Sequence, residues 1–108
     1  MTKPADRTLG SLVAEVPGAR LVRGSPDTVV QALEYDSRQA KQGSLFLAVP
    51  GFVTDGHTYL PQVAAAGAAA AIVQADHVDS LLVLPETLAL VSVPATRPAQ
   101  ASAAAWFY

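Results

Sequence analysis

Residues 36–57 read DSRQAKQGSLFLAVPGFVTDGH, and the reading of this stretch decides the fold. Its centre, Leu45-Phe46-Leu47-Ala48-Val49, is apolar at every position. A strand that alternates has one wet face, whereas a short run without alternation predicts a strand in a sheet covered on both sides. Lys41-Gln42-Gly43 ahead of it predicts a tight turn, with Gly43 free to take a positive φ. Pro50-Gly51 ends the strand. Two polar knots flank it: Asp36-Ser37-Arg38 before, and Thr54-Asp55-Gly56-His57 after.

Working outward, Leu9, Leu12, Val13 and Val16 recur at i, i+3, i+4, i+7 and predict a helix with one apolar face. Asp6 or Thr8 caps its start and Pro17-Gly18 stops it. ARLVRG (19–24) reads as a short strand, Ser25-Pro26-Asp27 as a turn, and TVVQALEYDS (28–37) as a partly alternating strand. A helix is expected from about Thr58 to Ala66, with Pro61 in its first turn and Gly67 just past its end. The alanine-rich stretch turns strand-like at Ile72-Val73, against alanine's helical preference. ADHVDSLL (75–82) is a short helix or loop and LALVSV (88–93) a strand. A last helix opens at TRPAQASAAAWFY (96–108), with Thr96 as N-cap candidate. Strands alternating with helices predict an α/β fold class: one small layered domain over 1–108, with a mainly parallel or mixed sheet flanked by helices.

Composition excludes several classes. The 108 residues carry 15% charged side chains, 51% hydrophobic ones and a net charge of −2, so the chain is compact and offers no basic footprint for nucleic acid. There are no cysteines, which removes disulfides, zinc thiolates and thiol nucleophiles. The N-terminus lacks the apolar stretch of a signal peptide, and Val63–Val73 falls short of the roughly 20 residues that span a bilayer. No partner membrane or nucleic acid is expected, and a cytoplasmic location is. The chain ends on Trp106-Phe107-Tyr108 with no cap, which reads as a piece cut from something longer.

If the strands run parallel, both knots meet at one edge of the sheet, where ligands of α/β domains gather. Ordinary turn chemistry accounts for much of each knot. Asp36 can accept backbone N–H groups or pair with Arg38. Asp55-Gly56 is a common turn dipeptide, and His57 can cap a helix. Ser37 stands out, because a hydroxyl donates to and accepts from a heterocycle edge. One histidine and one aspartate make no metal site, His77 lies in a different loop, and no metal is expected. A Ser37–His57–Asp triad lacks any G-x-S-x-G elbow, and no phosphate loop is visible. No catalytic residue is assigned.

Taken together, YDSRQAKQGSLFLAVPGFVTDGHTYLPQVAAAGAAAAIV (35–73) resembles the N-terminal domain of the Mur ligases, ATP-dependent cytoplasmic enzymes of peptidoglycan stem-peptide synthesis. The pattern is DSR, a Gly-x-Leu-Phe-x-Ala strand, a Gly, an Asp-Gly-His and a helix ending in Gly-Ala. It covers about 30–75 well and the rest loosely. The ending AAAWFY is most similar to the ligases adding the third residue, diaminopimelate or lysine; those adding D-alanyl-D-alanine are the alternative.

The resemblance implies a domain that grips the UDP end of a UDP-N-acetylmuramoyl-peptide substrate. By position it puts Tyr35 and Ser37 at the uracil and ribose, and Phe52, Val53 and Thr54 in the loop contacting uridine. Tyr35 stands where smaller aliphatics are common in the family, and the 52–54 loop varies, so backbone contacts are expected to dominate there. Arg38 and His57 would be supports. ATP and magnesium belong to the full-length enzyme, whose central ATPase domain and C-terminal domain would follow Tyr108, the ATPase domain packing on the aromatic helix. This fragment alone is expected to hold no cofactor and to catalyse nothing. A competing reading is a stand-alone interaction domain that docks partners through Trp106-Phe107-Tyr108.

Overall fold

The computed structural model describes residues 7–48 and 56–108. Among these residues five strands form one sheet: β1 (Arg20–Arg23), β2 (Ala32–Glu34), β3 (Ser44–Leu47), β4 (Ala70–Gln74) and β5 (Ala89–Val93). Their spatial order is β1-β5-β4-β3-β2. β2, β3, β4 and β5 are mutually parallel, and β1 closes one edge antiparallel to β5. Four helices accompany them: α1 (Leu9–Glu15), α2 (Leu60–Ala65), α3 (Val78–Leu81) and α4 (Thr96–Phe107). The expected mixed α/β sheet is what forms.

The apolar run behaves as its lack of alternation requires. All four residues of β3 are buried, and they feed two cores. Leu45 and Leu47 join α1 and α4 through Leu9, Leu12, Ala103 and Phe107. Phe46 and Ala48 face the other way, into Leu60 and Val63 of α2 and Leu81 of α3. The result is a sheet between two helical layers, with β3 and β4 inside it.

β4 shows why an alanine-rich stretch becomes a strand. In register, Ala71 stands between Phe46 of β3 and Leu90 of β5. All three are buried in one core, where close packing outweighs alanine's helical preference. The strand starts at Ala70, two residues ahead of the expected Ile72.

Local signals at the ends mostly act as read. Thr8 caps α1, its hydroxyl accepting the Ser11 N–H at 3.2 Å; Asp6 lies outside the described residues. Gly43 takes φ 84° in the turn before β3, where the Ser44 N–H donates to the Lys41 carbonyl at 3.0 Å. Gly67 takes φ 87° after α2. Three expectations need correcting. The strand foreseen over 28–37 shrinks to Ala32–Glu34, with an isolated bridge between Thr8 and Val29. The helix foreseen from Thr58 begins as a 3-10 turn at Gly56–Tyr59, and α2 proper starts at Leu60. Thr96 is not an N-cap: Ala95 holds that position without a side-chain bond, and Thr96 is buried as the first helical residue.

Candidate functional site

Parallel strands deliver their C-terminal ends to one rim, here Glu34, Leu47, Gln74 and Val93. The first polar knot follows β2 at this rim, and His57 of the second accepts the Gln74 N–H here. The first knot becomes a 3-10 turn, Ser37–Gln39, with Asp36 at its N-cap. The Asp36 carboxylate accepts the Arg38 backbone N–H at 2.9 Å, and Arg38 Nε and Nη2 at 3.0 and 2.7 Å. Those bonds from Arg38 pull the Asp36 pKa from 3.8 to about 2. Both side chains are exposed, so the pair adds little to global stability. Its effect is local: it closes the turn and fixes the backbone on either side of Ser37.

Tyr35 precedes this turn with 42% of its surface exposed. Partial burial first, and the nearby Tyr108 phenol second, push its pKa up from 10. The hydroxyl therefore stays neutral at physiological pH and can both donate and accept.

Phe52, Val53 and Thr54, named from the sequence, lie outside the described residues, as do Pro50, Gly51 and Asp55. From Gly56 onward the second knot is described, and its helix comes back to the first. α2 packs against the Ser37–Gln39 turn. Ala40, just past that turn, joins the cluster formed by Leu60 and Val63. Arg38, its pKa raised chiefly by Asp36, also feels Tyr59 from the Gly56–Tyr59 turn. The DSR corner and the helix entry after the DGH knot thus share one stretch of rim.

His57 does more than cap a helix. Only 6% exposed, its Nε2 accepts the Gln74 N–H at 3.0 Å. The ring stacks on His77, with centroids 3.9 Å apart and 9° between planes. Asp76 Oδ1 lies 2.9 Å from His77 Nδ1. The Gln74 side chain reaches Thr96, whose N–H and hydroxyl both lie 3.4 Å from Gln74 Oε1. The sequence shows His57 and His77 in separate loops and Thr96 only as a cap candidate, and it does not connect Gln74 to them. The available signal was Gln74 itself, a lone amide at the end of an otherwise apolar strand.

The terminal aromatics are largely spent inside the domain. Phe107 is 8% exposed and belongs to the α1–α4 core. Trp106 packs against that core and donates its Nε1–H to Ser11 Oγ at 2.9 Å. The Arg7 guanidinium sits 4.5 Å from the Phe107 ring centroid. Tyr108 remains 81% exposed. A three-aromatic docking surface is therefore not what α4 presents.

Chemically, the rim combines neutral hydroxyls, aromatic surface and turn backbone. Among the described residues no group of three or more His, Cys, Asp or Glu side chains could hold a metal ion. No helix among them is long and apolar enough to cross a membrane.

An α/β domain with its polar turns gathered on one strand-end rim is the class these observations define. Residues 29–106 match the family model described as Mur ligase family, catalytic domain. The chain belongs to the Mur ligase family. It is 39% identical over 101 residues, 93% of its length, to the UDP-N-acetylmuramoyl-L-alanyl-D-glutamate--2,6-diaminopimelate ligase of Geobacillus thermodenitrificans. It is 40% identical over 79 residues, 73% of its length, to the UDP-N-acetylmuramyl-tripeptide synthetase of Roseiflexus sp.. It spans 19% and 15% of those two relatives. Among solved structures, MurF from Acinetobacter baumannii superposes with a TM-score of 0.70 at 28% identity, over 92% of this chain and 20% of that one.

Proposed function

We propose that this chain binds the uridine diphosphate end of UDP-N-acetylmuramoyl-L-alanyl-D-glutamate, as the substrate-gripping N-terminal domain of a ligase that adds the third residue of the peptidoglycan stem peptide. The observation that carries the reading is the shared rim. The Ser37 turn, braced by Asp36 and Arg38, lies against the helix that follows the DGH knot. In this reading Tyr35 lies against the uracil and the Ser37 hydroxyl bonds the nucleoside. The backbone N–H groups of the loop holding Phe52, Val53 and Thr54 serve the sugar and diphosphate, since turn amides bind phosphate without a cationic surface.

The names of the Geobacillus and Roseiflexus relatives support the third-residue step. The reaction would need ATP and magnesium, which activate the substrate carboxylate for attack by the incoming amine. The groups that hold them belong, in this reading, to domains beyond Tyr108, in a cytoplasmic enzyme. The exposed Tyr108 is then the aromatic left for the next domain to cover. A second reading, the ligase that adds D-alanyl-D-alanine, draws support from the similar structure named as a 2,6-diaminopimelate--D-alanyl-D-alanyl ligase from Acinetobacter baumannii. The two differ in the amine they accept, so assaying the full-length ligase with diaminopimelate, lysine and D-alanyl-D-alanine separates them.

Calorimetric titration of UDP into this chain tests the binding role itself. Weak binding is expected, and Ser37→Ala should weaken it about fivefold, the worth of one neutral hydrogen bond of about 1 kcal/mol. Equal affinity in the variant would reduce Ser37 to turn chemistry.

A further inference from the structure

The rim carries two histidines that the uridine reading leaves unused. His57 is buried in the turn after β3, and His77 closes the turn after β4. A backbone amide can only donate, so the Gln74 N–H bond to His57 Nε2 requires that nitrogen to be unprotonated. Asp76 Oδ1 lies within hydrogen-bond reach of His77 Nδ1, at 2.9 Å. Gln74 in turn reaches Thr96. Segments leaving β3, β4 and β5 are thereby tied at one point.

The stack sets two imidazoles face to face, one of them buried. An imidazolium at His77 faces a neutral aromatic ring, a favourable arrangement. A proton on His57 Nε2 would set one N–H against another and cost the Gln74 bond. It would also place like charges on rings 3.9 Å apart, where burial limits screening. The elements meeting here carry further charged or titratable groups: Asp76 after β4, Tyr59 on the His57 turn, Arg38 beside it, Asp79 on α3 and Arg97 on α4. His57 differs from them in that protonation removes its own hydrogen bond to the sheet.

We propose that the His57–His77 stack is a proton-operated clasp. Neutral His57 holds the Gly56–Tyr59 turn on β4; protonated His57 releases it, loosens the adjoining Ser37 corner and weakens UDP binding at acid pH. The route is short, because α2 leaves that turn directly and packs on the Ser37–Gln39 turn. The last step rests on the uridine reading, and the clasp itself does not.

NMR of the 108-residue chain between pH 8 and 5, without ligand and then with UDP, tests it. The Gln74, Tyr59 and Leu60 amides should move with the His57 midpoint. UDP affinity should fall at least threefold from pH 7.5 to one unit below that midpoint. His57→Gln keeps an acceptor for Gln74 but cannot titrate, so it should hold the Gln74 amide steady and remove the threefold loss. The change in UDP's own phosphate charge is common to both proteins and is subtracted by this comparison. Absence of UDP binding at pH 7.5 would sink the uridine reading and leave the clasp legible in the ligand-free amides. Amides that ignore the His57 titration would overturn the clasp while UDP still binds. Amides that follow His57 beside a flat UDP affinity would overturn its coupling to the site. If His57→Gln fails to fold, the ligand-free amides of the unaltered chain decide the clasp alone.

Discussion

Removing the Phe46 ring should nearly unfold the domain, and removing Leu47 on the opposite face should come close to the same loss. Phe46 is 1% exposed and Leu47 fully buried, one in each core. A buried phenylalanine removes roughly 150–250 Å² from water. At about 25 cal/mol per Å² the lower bound already gives about 4 kcal/mol. Measured Phe→Ala losses run about 3–5 kcal/mol. Collapse will recover little, because the residue alongside on β4 is Ala71 and has no bulk to fill the hole. Leu47→Ala should cost about 2–5 kcal/mol by the same mechanism. Domains of this size are stable by about 5–15 kcal/mol, so either variant is left marginal. Urea unfolding followed through Trp106, the single tryptophan, reads the effect as a lower midpoint with an unchanged slope. If one of the pair costs less than about 1 kcal/mol, β3 has a wet face, and its role as the covered base of both corners is wrong.

Three further outcomes bear on separate joints of the fold. The Asp36 carboxyl, held at about 2 against 3.8 when unpaired, contributes above the unfolded value and loses its effect as pH falls from 3.8 through 2. The Arg38 amide should accordingly titrate near 2; a midpoint near 3.8 would mean that the pair does not form in solution. Gly24→Ala should destabilise by more than Gly43→Ala. Both take positive φ, at about 1–2 kcal/mol for a side chain there, but a Cβ at Gly24 also lands on Ala89 Cβ of β5, while at Gly43 it meets the Gln31 side chain. Equal losses in chemical denaturation would contradict that packing. A double-mutant cycle on Trp106→Phe and Ser11→Ala should return a coupling of about 1 kcal/mol for the 2.9 Å bond. Zero coupling would detach the end of α4 from α1.

The elements that the sequence disclosed are those whose signals are local or doubled. β3 was legible because an apolar run bounded by a turn and a proline admits few alternatives. α1 was legible because its period, cap and stop agree. What stayed hidden depends on neighbours distant in sequence. Ala70 and Ala71 are strand residues because Phe46 and Leu90 flank Ala71, which no window around 70 contains. Thr96 looks like a cap by type, yet it is drawn inward toward Gln74 across 22 positions. The same holds at the site. The Asp36–Arg38 bond spans two residues and could be foreseen; the His57–His77 stack spans twenty and could not. Trp106 and Phe107 looked unpartnered at a chain end because Ser11, Arg7 and the α1 face lie at the other end of the sequence.

One spectrum bears hardest on the claim that the strand-end rim is a nucleotide cradle: the amide map of this chain titrated with UDP. The account predicts shifts centred on Tyr35, Ser37 and Arg38 and spreading to the Gly56–Leu60 segment. A hollow lined by Arg20, Val22, Ala75, Val78, Asp79 and Ser92 opens on the β1 side of the sheet, away from β2. Shifts gathered there, with the Ser37 corner silent, would contradict the account.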